Sequence, residues 1–174
     1  MTVKSKSQLE IDIPIGVGAG VSSQDIRDLL DSLYGAVETY VPTLTASVTS
    51  PTLGTGSVQE GFFIRTGNKI DCWGRIGFGT SGVDAGSGTY IVSLPVAATD
   101  LTAATGFNLG QIVGSCSIRD DSGGLGGNLV GSAQLRTASA LSFNISANRI
   151  GHDVPGWAAS DFLGWAVAYI AEVA

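Results

Sequence analysis

The chain holds a single histidine, His152, in the run Gly151-His152-Asp153-Val154-Pro155-Gly156-Trp157, so any histidine-dependent proton transfer must pass through this residue and the carboxylate beside it. No nucleophile accompanies the pair. Gly-x-Ser-x-Gly and the phosphate-loop signature Gly-Lys-Ser/Thr do not occur, and Cys72 and Cys116 stand in strand-like stretches rather than in exposed loops. His152 therefore reads as a polar loop residue next to a carboxylate, and catalysis is the least favoured function class.

Asp120-Asp121, followed by Ser122-Gly123-Gly124, could offer loop oxygens to calcium. Such a site needs about six oxygens in a patterned array, whereas a turn between strands uses Asp, Ser and Gly for backbone reasons, so the turn reading is preferred. Glycines at 114, 123, 124, 126 and 127 connect strands with no helix after them, which discards a phosphate cradle. Two cysteines are too few for a disulfide framework and too far apart for a metal knuckle; half-buried thiols are the preferred reading. No cofactor or metal is expected. Tyr40 and Trp157 could stack on a sugar ring, and with His152 and Asp153 they form the candidate ligand contacts, although packing inside the protein is the stronger reading for the tryptophan. Trp73 is assigned to covering a glycine across a hairpin.

These residues must be positioned by a chain of 174 residues, enough for one ordinary domain and a short appendage. Hydrophobic residues make up 44% and charged residues 14%, so a core can be buried; 25 glycines without a collagen period favour many tight turns. The stretch 1–40 differs from the rest. An extended, glycine-punctuated arm leads to a helix signal in which Ser22 or Ser23 caps and Ile26, Leu29, Leu30 and Leu33 fall at i, i+3, i+4 and i+7, with Gly35 as the stop. A helix of about a dozen residues is marginal alone in water, so its leucine stripe has to dock on its own domain, a sister chain or a larger assembly.

From about Tyr40 onward short alternating runs recur between turns, the pattern of an antiparallel sandwich or barrel with seven or eight strands, and residues 41–174 are read as an antiparallel β-sandwich of jelly-roll type. With Thr66-Gly67-Asn68 as a three-residue loop, Ile64 faces Ile70, Phe62 faces Cys72 and Val58 faces Ile76 on the inside, while Gly61 lies opposite Trp73 and Gln59 opposite Arg75. With Thr137-Ala138-Ser139 as a second loop, Leu135 meets Leu141, Ala133 meets Phe143 and Gly131 meets Ile145, leaving Gln134 and Ser142 outside. Further strands are expected near Thr43–Val48, Thr89–Leu94, Leu109–Ile118 and Phe162–Val173. The last carries Phe162, Ala166, Ala168 and Ile170 on one face and Leu163, Trp165, Val167 and Tyr169 on the other. Being apolar on both sides, it either meets another subunit or is a central strand buried in one domain; Leu163, Trp165, Val167 and Tyr169 are taken with the helix stripe as oligomerisation or anchoring residues.

A formal charge of −6 argues against a nucleic-acid partner, which needs clustered cations. The longest apolar stretch, Phe162 to Ala171, is half the length a spanning helix needs, and Met1 to Leu9 lacks a signal-peptide core, so membrane insertion and secretion are not expected.

Tyr40-Val41-Pro42-Thr43-Leu44-Thr45, Ser50-Pro51-Thr52-Leu53-Gly54-Thr55-Gly56 and Gly61-Phe62-Phe63-Ile64-Arg65-Thr66-Gly67-Asn68-Lys69-Ile70 come in an order, continued by Ser93-Leu94-Pro95-Val96 and Trp157-Ala158-Ala159-Ser160-Asp161, that resembles the β-sandwich modules of tailed-phage virion appendages: minor tail proteins, tail fibres and head fibres. The resemblance covers about three quarters of the chain, and the arm and helix resemble the segment preceding such modules. It implies a non-catalytic virion protein made in the cytoplasm of a bacterial host. Such a protein would form a homotrimer by three-fold symmetry, bind other virion proteins through the N-terminal arm and meet a host cell-surface glycan. Two departures stand out: Phe63 occupies a place where that family usually has tyrosine, pointing to a drier position, and no long shaft separates helix from sandwich. A tail component engaged in host attachment leads, with a head fibre or capsid decoration protein close behind and a free carbohydrate-binding module as the reading from another class.

Overall fold

The computed structural model describes residues 27–30, 35–99, 111–123, 127–145, 148–149 and 157–171. Residues 27–30 are helical. The other regular elements are strands: β1 (Val37–Tyr40), β2 (Leu44–Ala46), β3 (Val58–Thr66), β4 (Lys69–Gly77), β5 (Tyr90–Ser93), β6 (Ile112–Arg119), β7 (Leu129–Thr137), β8 (Ala140–Ile145), β9 (Asn148–Arg149) and β10 (Phe162–Ile170). They hydrogen-bond as one antiparallel sheet in the order β1-β3-β4-β10-β6-β7-β8-β5-β2, with β9 beside β8. The chain is thus mainly β and antiparallel, as its alternation predicts, and β1 brings residues 37–40 of the N-terminal stretch into the sheet.

The sheet is curled. Four strands separate β4 from β5 in the order, yet Phe78, just past β4, lies 6.4 Å from Tyr90 of β5 by ring centroids, with Trp157 between them at 5.4 and 5.5 Å. Two connections run side by side across the opening: residues 47–55 and 79–89 are joined by the bridges Thr49–Ser87, Thr52–Asp84 and Thr55–Ser81. At the other end residues 94–99 cross from the β7–β8 turn, where Ala98 N donates to Ala138 O, to the end of β10, where Thr99 N donates to Ile170 O.

Inside the curl the pleat sends alternate residues into one core. Across adjacent strands Ile76, Leu163 and Ile118 form one row, Gly74, Trp165 and Cys116 the next, and Cys72, Val167 and Gly114 a third. Phe143, Leu141, Val92 and Tyr90 complete the core from the far side. Trp165 fits only because its neighbour Gly74 lacks a side chain: a β-carbon there would stand 2.6 Å from its Cζ2.

The hairpin β3–β4 differs from its expected register by one residue. Its loop is Gly67-Asn68, with Gly67 at φ 59° and Asn68 not at positive φ, the type II′ pattern that suits a two-residue hairpin. Phe63, not Phe62, therefore pairs with Cys72 and is buried, Gly61 pairs with Gly74, and Phe62 stands opposite Trp73 on the outer face. A one-residue slip exchanges the faces of a strand, which is why one turn decides the whole ladder. In the β7–β8 hairpin the pairs Leu135–Leu141 and Ala133–Phe143 are as expected, but pairing continues past a bulge to Thr137–Ala140, and Ser142, expected outside in water, is buried beneath its neighbours on β5 and β7.

Candidate functional site

The outer face of β3 and β4 carries three successive cross-strand pairs: Ile64 with Asp71, Phe62 with Trp73, and Glu60 with Arg75. The Phe62 and Trp73 rings stack, 6.3 Å between centroids and 23° between planes. Trp73 remains 37% exposed, whereas the other two tryptophans are buried. Arg75 Nε donates to Glu60 Oε2 at 2.9 Å, and both of these side chains are about half in solvent. These four side chains, with Gly74 and Trp165, line an open depression of about 300 Å³. On β10 the register neighbours of Trp73 and Arg75 are Ala166 and Gly164, so nothing bulky closes that side. An indole face bordered by a mutually neutralised charged pair can take an amphipathic ring.

On the inner face Tyr40 lies over Gly61, where a β-carbon would collide with its ring, and its hydroxyl is 3.3 Å from Cys72 Sγ. The indole N–H of Trp165 sits against this pair without a regular hydrogen bond. Burial, then the thiol beside it, holds the Tyr40 phenol well above its ordinary range. Burial also raises the Cys72 thiol, against an opposing pull from Tyr40 and Trp165, and pushes Cys116 up to about 11. Both cysteines are free and buried, and a thiol held protonated is neither a nucleophile nor a metal ligand at neutral pH.

The Asp120 turn is organised by carboxylates that bind the chain itself. Asp161, wholly buried, accepts from Asp121 N and Ser122 N on Oδ1 at 3.0 and 2.9 Å, and from Ala158 N and Ser122 Oγ on Oδ2 at 2.9 and 3.0 Å. Asp120 Oδ2 accepts from Gly127 N at 2.9 Å, and Asp121 pairs with Arg119. No group of three or more metal-ligating side chains occurs among the described residues. Among them, too, no helix is long and apolar enough to cross a membrane.

The expected site residues are therefore dispersed. Trp157 is 7% exposed within the Phe78–Tyr90 cluster, and Tyr40 is packed over Gly61, so neither presents a free ring face. Leu163, Trp165, Val167 and Tyr169 point into this chain's own core, because β10 is central, between β4 and β6. That corrects their assignment to a subunit contact: the face of β10 left uncovered holds Ala166, Ala168 and Ile170. Leu29 and Leu30 are 39% and 45% exposed. Ile26, Leu33, His152 and Asp153 lie outside the described residues. The Phe62–Trp73 platform was hidden by the assumed three-residue loop; the dipeptide Gly67-Asn68, itself a two-residue hairpin signal, would have revealed it. No protein-family model matches the chain, and no curated protein or solved structure is significantly similar to it.

Proposed function

We propose that the chain is a non-enzymatic structural protein of a tailed-phage virion, a tail-fibre or minor-tail component that engages the host surface. In this reading residues 1–40 anchor the protein, and residues 41–174 form a sandwich-like head. The contact of Phe78, Trp157 and Tyr90 across the curl supports two facing layers in that head. The observation that carries the reading is the exposure of Leu29 and Leu30 ahead of a well-filled core. Leucines on a short helix need cover to make the helix stable, and among the described residues Leu29 and Leu30 remain partly exposed, so the rest of that cover is assigned to a sister chain or the particle.

Light scattering on the purified chain tests the three-fold arrangement: a mass near three times 17.7 kDa, about 53 kDa, is expected, and a monomer that persists at high concentration counts against it. Immunogold labelling of virions with an antibody to the chain tests location. Label on the tail is expected; label confined to the capsid would replace the tail reading with a head fibre or decoration protein, and unlabelled particles would remove the virion reading altogether.

A further inference from the structure

We infer that the depression walled by Phe62, Trp73, Glu60 and Arg75 is a saccharide-binding site, in which one pyranose ring lays its C–H face on the Trp73 indole while its hydroxyls bond to the Glu60–Arg75 pair. The inference rests on the attachment reading only in that it names the chemistry of the host-surface ligand. Three observations bring it to this place. Among three tryptophans, two are buried in the core and only Trp73 presents its ring outward, held by its stack on Phe62. The space beside it is open on the β10 side, where Gly164 and Ala166 project little or nothing, so a flat ring can slide over the sheet. The polar border is a carboxylate and a guanidinium that already cancel each other, in a chain of net charge −6. That border suits a neutral ligand rich in hydroxyls and offers no free cation for a phosphate.

A second copy of the chain fits this patch poorly. Beside the Trp73 ring the face offers the Glu60–Arg75 ion pair and the small Gly164 and Ala166, little apolar surface toward the roughly 800 Å² that a specific protein interface takes from each partner. The dimensions are those of one ring docking on another.

The test uses the full chain and the exposure difference among its tryptophans. Because Trp157 and Trp165 are buried, acrylamide quenching of the native fluorescence reports chiefly on Trp73. The probes are maltohexaose, cellohexaose, chitohexaose and purified bacterial O-polysaccharide, each titrated to millimolar concentration. Saturable protection by at least one of them is expected, and calorimetry on that saccharide should show about a tenfold or greater loss of affinity in Trp73→Ala. Arg75→Ala removes only an exposed ion pair from the fold and should weaken binding with the melting temperature nearly unchanged, which keeps the test valid if Trp73→Ala unfolds. Absence of protection by every probe, or undiminished binding by both variants, overturns the inference. Virions that carry label with no saccharide bound would sink this inference alone; saccharide binding with unlabelled virions would sink the virion reading and leave the site standing.

Discussion

Asp161 is the one carboxylate of the described chain that is wholly buried, and its removal should be the most damaging single truncation outside the apolar core. In Asp161→Ala the backbone N–H groups of Asp121, Ser122 and Ala158 lose this acceptor, and the Ser122 hydroxyl gives up one bond while keeping the one to Asp120 Oδ1 at 3.2 Å. A buried donor left unpaired costs about 1–3 kcal/mol, and a lost hydroxyl bond adds about 1 kcal/mol. Against this stand the relief of a buried charge and the exposure of Asp121 and Ser122, which lets water reach their amides, so the lower half of the range applies and the net loss is about 3–4 kcal/mol. Asp161→Asn keeps one acceptor oxygen for Asp121 N and Ser122 N but turns an NH₂ toward Ala158 N, which gives about 2 kcal/mol. The damage spreads, because Phe78 N donates to Asp161 O and Ser160 N donates to Gly79 O, tying this turn to the strand end that carries the Phe78–Trp157 contact. Urea unfolding should show both variants with an unchanged slope and lowered midpoints, alanine below asparagine, and alanine should melt about 10 °C below the parent. An alanine variant within about 0.5 kcal/mol of the parent would refute the view that this carboxylate braces the two loops.

Two further outcomes follow from the core. Gly74→Ala should cost about 2–3 kcal/mol, since its β-carbon meets the Trp165 ring at 2.6 Å and the Glu60 carbonyl oxygen at 2.7 Å; combining it with Trp165→Phe should recover part of the loss in a urea double-mutant cycle, and strict additivity would count against the contact. Cys116 is raised by burial from 9.0 to about 11, so the unfolded chain releases this proton first: its contribution to stability is complete below pH 9.0 and is lost as the pH climbs toward 11. Melting temperatures across that window should fall in the parent and fall less steeply in Cys116→Ser, with equal slopes as the refuting result.

Most strands were legible in the sequence because alternation over eight or nine residues leaves little choice of element, as in β4 and β7. The faces were less so. In β3 the run Phe62-Phe63-Ile64 is apolar at every position, so composition alone accepts either register and the turn decides; there Gly67 alone takes positive φ. In β10 both faces are apolar, and only its place between β4 and β6 shows that Trp165 belongs to the core. The curl was not legible at all. It depends on Phe78, Trp157 and Tyr90, which lie up to 79 positions apart (157 minus 78) and whose meeting no local period announces. Asp161 was hidden for the same reason: its partners at 121 and 122 are remote in sequence, and a lone aspartate before a strand reads as a turn residue.

The placement of β10 also ties the proposed assembly to the proposed ligand site. If sister chains met through its outer face, Ala166 would be covered, and with it Trp73, its register neighbour. If they meet through Leu29 and Leu30 alone, no residue of that face enters the contact. Self-association and saccharide binding are thus compatible through the helix and competitive through the sheet. The quenching of Trp73 in an associated form separates the two routes: an accessible indole in a particle of about 53 kDa places the contact at the leucines, whereas a shielded one places it on β10. The small side chains of Gly164 and Ala166 favour the first route, because a sheet face that offers so little apolar area between its strands stabilises a subunit contact weakly and accommodates a single ring well.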